Sequence, residues 1–329
     1  MLNAMSIFTR AVDERIGWKR IGIAVNVLVV AAAFVILFRL LHNIDLAKVL
    51  AAIRAMPLHT VLLAMVFVAI GYVTLTFYDF FALRTIGRAN VPYRIAALAS
   101  FTSYTIGHNL GATVFTGGAV RLRIYSAWGL GIIDIAKIAF VTGLTFWLGN
   151  ASVLGVAMAY APDAVSAVNQ VPPWVNRAIA IAALASIVGY LMWLLPRPRV
   201  IGRNNWQVTL PSASLTFVQI GIGFLDLGIG ALAMYTLLPQ EPPIDLAVLT
   251  VIFVVATLLG FLSHAPGSLG VFDAAMLIAL TQYGREELLA SLLVFRALYF
   301  ILPFALALVV LGIREACAGT KASRQDLSA

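Results

Sequence analysis

The chain has 329 residues, of which 62% are hydrophobic and 11% charged, and its mean hydropathy is +0.97. Soluble domains carry roughly 25% charged residues, so the composition excludes a soluble globular enzyme and points to an integral membrane protein of one polytopic domain. Net charge is +8, from 22 Lys and Arg against 14 Asp and Glu; the basic residues cluster in short interhelical segments, where they set topology rather than bind nucleic acid.

Residues 1–20 carry Arg10, Arg15, Lys19 and Arg20 ahead of an apolar run, Ile21–Leu41, that contains Arg39, exceeds a signal-peptide core and lacks a small-x-small cleavage site. It reads as an uncleaved first span behind a cytoplasmic N-terminal segment. Runs near or above the ~20 residues that cross a bilayer as a helix follow at Val61–Leu83, Ile132–Tyr160, Val175–Leu195, Leu210–Leu238 and Leu288–Ile313. Ile95–Leu110 and Leu246–Leu262 are short or interrupted. The reading is an all-α polytopic membrane protein with about six full spans. A transmembrane domain covers 21–313, and a polar cytoplasmic tail, 314–329, holds the one cysteine, Cys317, which leaves no internal disulfide or cysteine-based metal site.

The connecting segments sort by charge. The N-terminus, Arg84/Arg88/Arg94, Arg197/Arg199/Arg203 and the tail with Arg314, Lys321 and Arg324 are basic and go to the cytoplasm. Ala161–Pro173 and Pro239–Asp245 have no Lys or Arg, carry Asp163, Glu241 and Asp245, and face outward. His42–His59, with Lys48 and Arg54, argues mildly for the inside while the count of spans needs it outside. Parity then constrains the two short stretches. Residues 95–130 must leave and return on the cytoplasmic side, with a break around Gly111–Gly118, and Leu246–Tyr283 must do the same from outside, with its break at SHAPGSLG, residues 263–270. Three full crossings at each place satisfy parity equally well; re-entrant hairpins are preferred because the limbs are short and rich in Gly, Ser, Thr and Pro.

TGGAVRLRIYSAWGL (116–130) set against PGSLGVFDAAMLIAL (266–280) gives, in each, a glycine break followed by an amphipathic limb, with Arg123 opposite Asp273. The span with Asp79 precedes the first and the span with Asp226 the second. Two halves, about 60–160 and 210–313, entering from opposite sides, form the pattern of an inverted-topology repeat whose broken helices meet near the bilayer midplane. The expected breaks are Gly117 and Gly118 in one hairpin and His264, Pro266, Gly267 and Gly270 in the other. Backbone groups freed there are tolerated only inside protein or beside a wet cavity.

Six charged residues are candidates for a site. Asp226, in QIGIGFLDLGIGALAMY, is too deep to reach an interface, so it is functional or holds a structural hydrogen bond. The flanking Gly221, Gly223, Gly228 and Gly230 read as helix-packing residues. Asp79 lies about one turn from Arg84 and reads as a solvated helix-end acid or a functional one. Arg296, in LLVFRALYFILP, needs an anion, either Asp273, Asp226 or a ligand phosphate. Arg121 and Arg123 are positive-inside residues or phosphate ligands. His108–Asn109 and Ser263–His264 read as caps of the first limbs, with a proton relay as the lesser option, and Asp134 and Lys137 as a local ion pair. No HExxH, Walker loop, GxSxG, CxxC or acidic cluster of metal-ligand type occurs, so no catalytic residue, metal or cofactor is expected.

SYTIGHNLGATVFTGGAVRLRIYSAWGL, together with FLSHAPGSLGVFDAAM, resembles the N-terminal membrane domain of the multiple peptide resistance factor family of lysylphosphatidylglycerol synthetase/flippases. The likeness runs from about Ile21 to Ile313. It implies a flippase of the bacterial cytoplasmic membrane, with both termini cytoplasmic, moving aminoacylated phosphatidylglycerol to the outer leaflet and lowering susceptibility to cationic antimicrobial peptides. It also implies functional acids at Asp79 and Asp226 and a functional arginine at Arg121, with Arg123 close by. The synthetase's further spans and soluble domain have no counterpart here, so no aminoacyl transfer is expected; the resemblance leaves room for a separate synthetase partner and for a homo-oligomer. The expectation is an inward-facing groove lined by Asp79, Arg121, Arg123, Asp226, Asp273 and Arg296, arginines meeting the lipid phosphate and aspartates its amines. The alternatives are a transporter of another anionic lipid such as a polyprenyl phosphate, which needs the arginines but not the acids, and a non-transporting partner of a lipid synthetase.

Overall fold

A computed structural model of the chain describes Phe38 and residues 44–195, 199–203 and 206–326. The N-terminal segment 1–20, the first span apart from Phe38, and Arg197 lie outside the described residues. Five helices among the described residues are long and apolar enough to cross a membrane. They are α2 (Leu58–Thr85), α5 (Ile132–Tyr160), α7 (Pro173–Leu194), α8 (Ala213–Leu237) and the last span, Arg285–Arg314. The last span is made of α11 (Arg285–Arg296), a π-helical turn (Ala297–Ile301) and the start of α12 (Leu302–Asp326). Between them lie α1 (Leu46–Ala55), α3 (Tyr93–Leu110), α4 (Thr113–Tyr125), α6 (Pro162–Asn169), α9 (Leu246–Leu262) and α10 (Val271–Ala279). The helix starts carry local signals. Asp45 accepts from the N–H groups of Ala47 and Lys48, Ser212 from Leu215 and Asp245 from Ala247, each supplying an acceptor to donors that no helical carbonyl can reach.

One element departs from the all-helical expectation. Val200–Arg203 and Trp206–Thr209 pair as a two-stranded antiparallel ribbon between α7 and α8. The segment had been read for its arginines alone, and its valines, isoleucine and tryptophan fit an extended backbone better than a helix.

The hairpins pack as the parity argument requires. Arg88, in the turn after α2, bonds Asp134 at the start of α5 (3.0 Å), so the chain enters and leaves the α3–α4 hairpin on one face. Asp134 was expected to pair with Lys137; the approach of the preceding turn gives it Arg88 instead, and it also accepts from the N–H of Gly131. On the opposite face, Ser291 of α11 donates to the carbonyl of Leu237 at the end of α8, so the α9–α10 hairpin also returns to where it began. The segment Ala52–Thr60 shares a cleft with Thr236–Glu241 on that face, which puts the described part of the His42–His59 segment, residues 44–59, on the same side as Pro239–Asp245. The returning limbs have 13 and 9 residues. At 1.5 Å per residue they are about 20 and 14 Å long, short of a ~30 Å hydrocarbon core, and this favours re-entrant hairpins over full crossings.

The first reversal falls earlier than expected. The chain turns at Gly111 (φ 76°) and Ala112 (φ 46°), and Gly117 and Gly118 sit inside α4. Gly117 is a packing residue, since a Cβ there would lie 2.9 Å from the Ser103 carbonyl oxygen on the outgoing limb. The second break falls where expected, with positive φ at His264, Gly267, Ser268 and Gly270 around the short helix Pro266–Ser268. The tips meet. A Cβ on Gly111 would lie 2.6 Å from the His264 carbonyl oxygen and 3.3 Å from the Pro266 nitrogen. The spans are drawn together by α5 and α8, whose backbones touch at Gly149 and Gly223. Of the glycines expected to pack, Gly223 does so here and Gly230 lies under Phe253, whereas Gly221 and Gly228 have nothing within 4 Å of a built Cβ.

Candidate functional site

Asp79 is fully buried on α2. It does not end a solvated helix, because Val91, Ile124, Tyr125, Leu130 and Ile135 close a second apolar core over the last turns of α2. The arginine that meets it comes from α4. Arg121 Nε donates to both carboxylate oxygens (3.1 and 2.9 Å), its Nη2 donates to Oδ1 (2.8 Å), and the Tyr125 hydroxyl adds a bond to Oδ2 (2.9 Å). The guanidinium also lies 4.9 Å from the centre of the Tyr104 ring. Each charge is met by its partner, so the pair holds the returning limb of the first hairpin against α2. Arg123, two residues on, points to the exposed side of α4.

The second half repeats the device with the signs exchanged. Here the acid is on the returning limb and the arginine on the following span. Arg296 Nε donates to Asp273 Oδ1 (2.7 Å) and Nη2 to Oδ2, while Nη1 donates to the Gly267 carbonyl (3.0 Å) and Nη2 to that of Ser268 (3.3 Å). Asp273 also accepts from the N–H of Gly270 (3.1 Å). The pair therefore takes up backbone groups released by the break, which the hydrocarbon could not solvate. In role, the returning-limb charge that matches Asp273 is Arg121, which pairs with Asp79 of the preceding span as Asp273 pairs with Arg296 of the following one.

Between the two tips is a cavity of about 80 Å³. Its wall includes Gly111–Thr113 and His108 from the first hairpin, His264, Ala265 and Ser268 from the second, Tyr78 of α2, Tyr104 of α3, Tyr299 of the π turn and Asp226 of α8. Of the six charged residues expected to line a groove, Asp226 alone borders this cavity; Asp79, Arg121, Asp273 and Arg296 are consumed in the two ion pairs behind its wall, and Arg123 is elsewhere. The reason is geometric. Asp79 and Asp226 lie on spans that pack along their length, but only Asp226 has no arginine opposite it.

Asp226 is 8% exposed, and its Oδ2 accepts from the Tyr78 hydroxyl at 3.3 Å, while its Oδ1 has no hydrogen-bond partner. His108 and His264, expected mainly as caps, line the cavity, and their neighbours do the capping. Ser263 accepts from Ala265 N–H and donates to the Gly260 carbonyl; Asn109 donates to the carbonyls of Thr105 and Phe300. The bond to Phe300, with that from the Tyr72 hydroxyl to the Tyr299 carbonyl (2.8 Å), serves the π turn, a feature the sequence reading missed. Its signal was the closely spaced aromatic run at Tyr299 and Phe300 after a paired arginine, which is too weak to locate a π turn unaided. Among the described residues there is no group of three or more His, Cys, Asp or Glu suited to a metal ion.

No family model matches the chain. It is 29% identical over 288 residues to an uncharacterized protein of Synechocystis sp., covering 87% of this chain and 88% of that one. It is 26% identical over 282 residues to the inner membrane protein YbhN of Escherichia coli, covering 84% and 87%. A phosphatidylglycerol lysyltransferase of Staphylococcus haemolyticus is 38% identical over 71 residues, which are 20% of this chain and 8% of that protein. The chain is thus a multi-pass membrane protein related over most of its length to an inner membrane protein, with a short stretch like a lysyltransferase.

Proposed function

We propose that the chain is a lipid flippase of the bacterial cytoplasmic membrane that carries an amine-bearing phospholipid, of the lysyl-phosphatidylglycerol type, from the inner to the outer leaflet, with both termini cytoplasmic. The observation that carries the reading is the single acid in the central cavity. Two hairpins from opposite faces end at a space whose one carboxylate, Asp226, has an oxygen without a partner, and a lysyl headgroup brings ammonium donors to such an oxygen. Tyrosine and histidine side chains around it can accept or donate to the rest of the headgroup. The likeness to a phosphatidylglycerol lysyltransferase over 71 residues supports the choice of headgroup. Arginines closed by bidentate carboxylates argue against a phosphate clamp, and so against a polyprenyl phosphate as the cargo. The protein moves its lipid and does not make it, so a separate synthetase supplies the substrate.

Reconstituted into liposomes with a trace of fluorescent lysyl-phosphatidylglycerol, the protein is expected to expose the label to a membrane-impermeant quencher. Labelled phosphatidylglycerol, which lacks the amines, should stay protected, and Asp226→Asn should lose the exposure while keeping its elution volume. Equal movement of both lipids, or unimpaired movement by Asp226→Asn, defeats the assignment. Absence of any movement, with a synthetase still co-purifying, points to a non-transporting partner.

A further inference from the structure

Three acids lie within the hydrophobic body, and the structure treats them differently. Asp79 faces Arg121, held by three bonds, and Asp273 faces Arg296, held by two. Asp226 has none: among the described residues no cationic side chain pairs with it, and one hydroxyl bonds one of its oxygens. A carboxylate inside a bilayer-embedded protein is held at such a place only if a cation or a proton balances it. With no cation built into the wall, the balance at Asp226 falls to a proton or to a cation that the ligand brings.

The groups that face Asp226 include no lysine or arginine. From α2 come Tyr72 and Tyr78, from α3 Tyr104 and His108, from the second break His264, and from the π turn Tyr299. Arg121 of α4 is behind Tyr104 and closed by Asp79; Arg296 of α11 is closed by Asp273. The other titratable residues of α11, Arg285, Glu286 and Glu287, are in its first turn. Along α9 no titratable residue occurs, and α5 and α7 carry theirs near their ends, at Asp134, Lys137 and Tyr160 and at Arg177 and Tyr190. The two histidines belong to the two hairpin tips and line the same cavity as the carboxylate.

We infer that the cavity exchanges a proton for the headgroup amine at Asp226, so that each aminoacyl lipid carried outward returns a proton inward. The step balances: the Asp226 carboxylic acid and an ammonium group give a carboxylate–ammonium pair and one proton released to the side from which the lipid loads. Release of the lipid on the far side lets the carboxylate take up a proton there, and the proton gradient drives the cycle. This rests on the transport reading above and gives it an energy source.

The test is calorimetric titration of the purified full chain with lysyl-phosphatidylglycerol in mixed micelles. It is run near pH 6, where an α-amino group with a pKa of about 7.7 stays protonated, in two buffers of different ionisation enthalpy. The dependence of the heat on buffer gives the protons released. The expected result is about one proton per lipid bound, none on titration with phosphatidylglycerol, and retention in Asp226→Glu but loss in Asp226→Asn. Binding without buffer dependence in the unaltered protein overturns the exchange. If the liposome assay still reports movement, the transport reading survives without it; absence of both binding and movement removes both. Release that persists in Asp226→Asn also overturns the assignment, since the proton then comes from a histidine.

Discussion

Removing one partner from a buried ion pair leaves the other charged where water cannot reach it, at a cost of about 3–5 kcal/mol. Asp79→Asn and Arg121→Met are therefore expected each to lower the unfolding midpoint in detergent sharply. The double change, which removes both charges, should recover much of the loss. Asp226→Asn should leave the midpoint nearly unchanged, because Asp226 has no charged partner to strand. Equal destabilisation by Asp79→Asn and Asp226→Asn would contradict the division of the acids into paired and unpaired. Depth in the sequence singled out Asp226, whereas Asp79, about one turn from Arg84, read equally as a solvated helix-end acid. Asp79 is joined to a residue 42 positions away, and whether that arginine faces an acid or a lipid depends on the turn of α4 about its axis. The same ambiguity of one helical face made Arg123 look equivalent to Arg121.

At the scale of elements, the site depends on two breaks touching. Gly111 has a backbone conformation that side-chain-bearing residues rarely adopt, and a Cβ there would meet the His264 carbonyl. Gly111→Ala should cost about 1–3 kcal/mol in backbone strain alone and part the tips, reducing transport. Gly118→Ala, in a helix interior with nothing within 4 Å of its Cβ, should stabilise by about 0.5–1 kcal/mol with transport intact. Thermal unfolding and the liposome assay read both; the reverse order would place the break back at Gly117–Gly118. The second break was legible because SHAPGSLG holds a proline and two glycines in sequence. The first was misplaced because a glycine pair is the louder signal, and here Gly117 serves close packing of two limbs within one hairpin. Lengths and hydropathy gave the five spans among the described residues to within a few residues, since burial in lipid leaves composition few alternatives.

In the whole molecule, the inverted order of the halves turns two ordinary hairpins into one compartment. The paired charges lock α4 to α2 and the second break to α11, and the cavity between the tips is the space those locks leave open. The mirrored halves were readable from sequence. Which of six charged residues border the cavity was not, because that depends on contacts between elements far apart in the chain. The cavity's single acid is the central claim, and a cryo-electron-microscopy structure of the purified protein with lysyl-phosphatidylglycerol tests it most directly. The account expects headgroup density between the hairpin tips, with an amine at the Asp226 carboxylate and both arginine–aspartate pairs intact. Density bound to Arg121 or Arg296 with those pairs broken, or a cavity empty beside lipid held elsewhere, would contradict it.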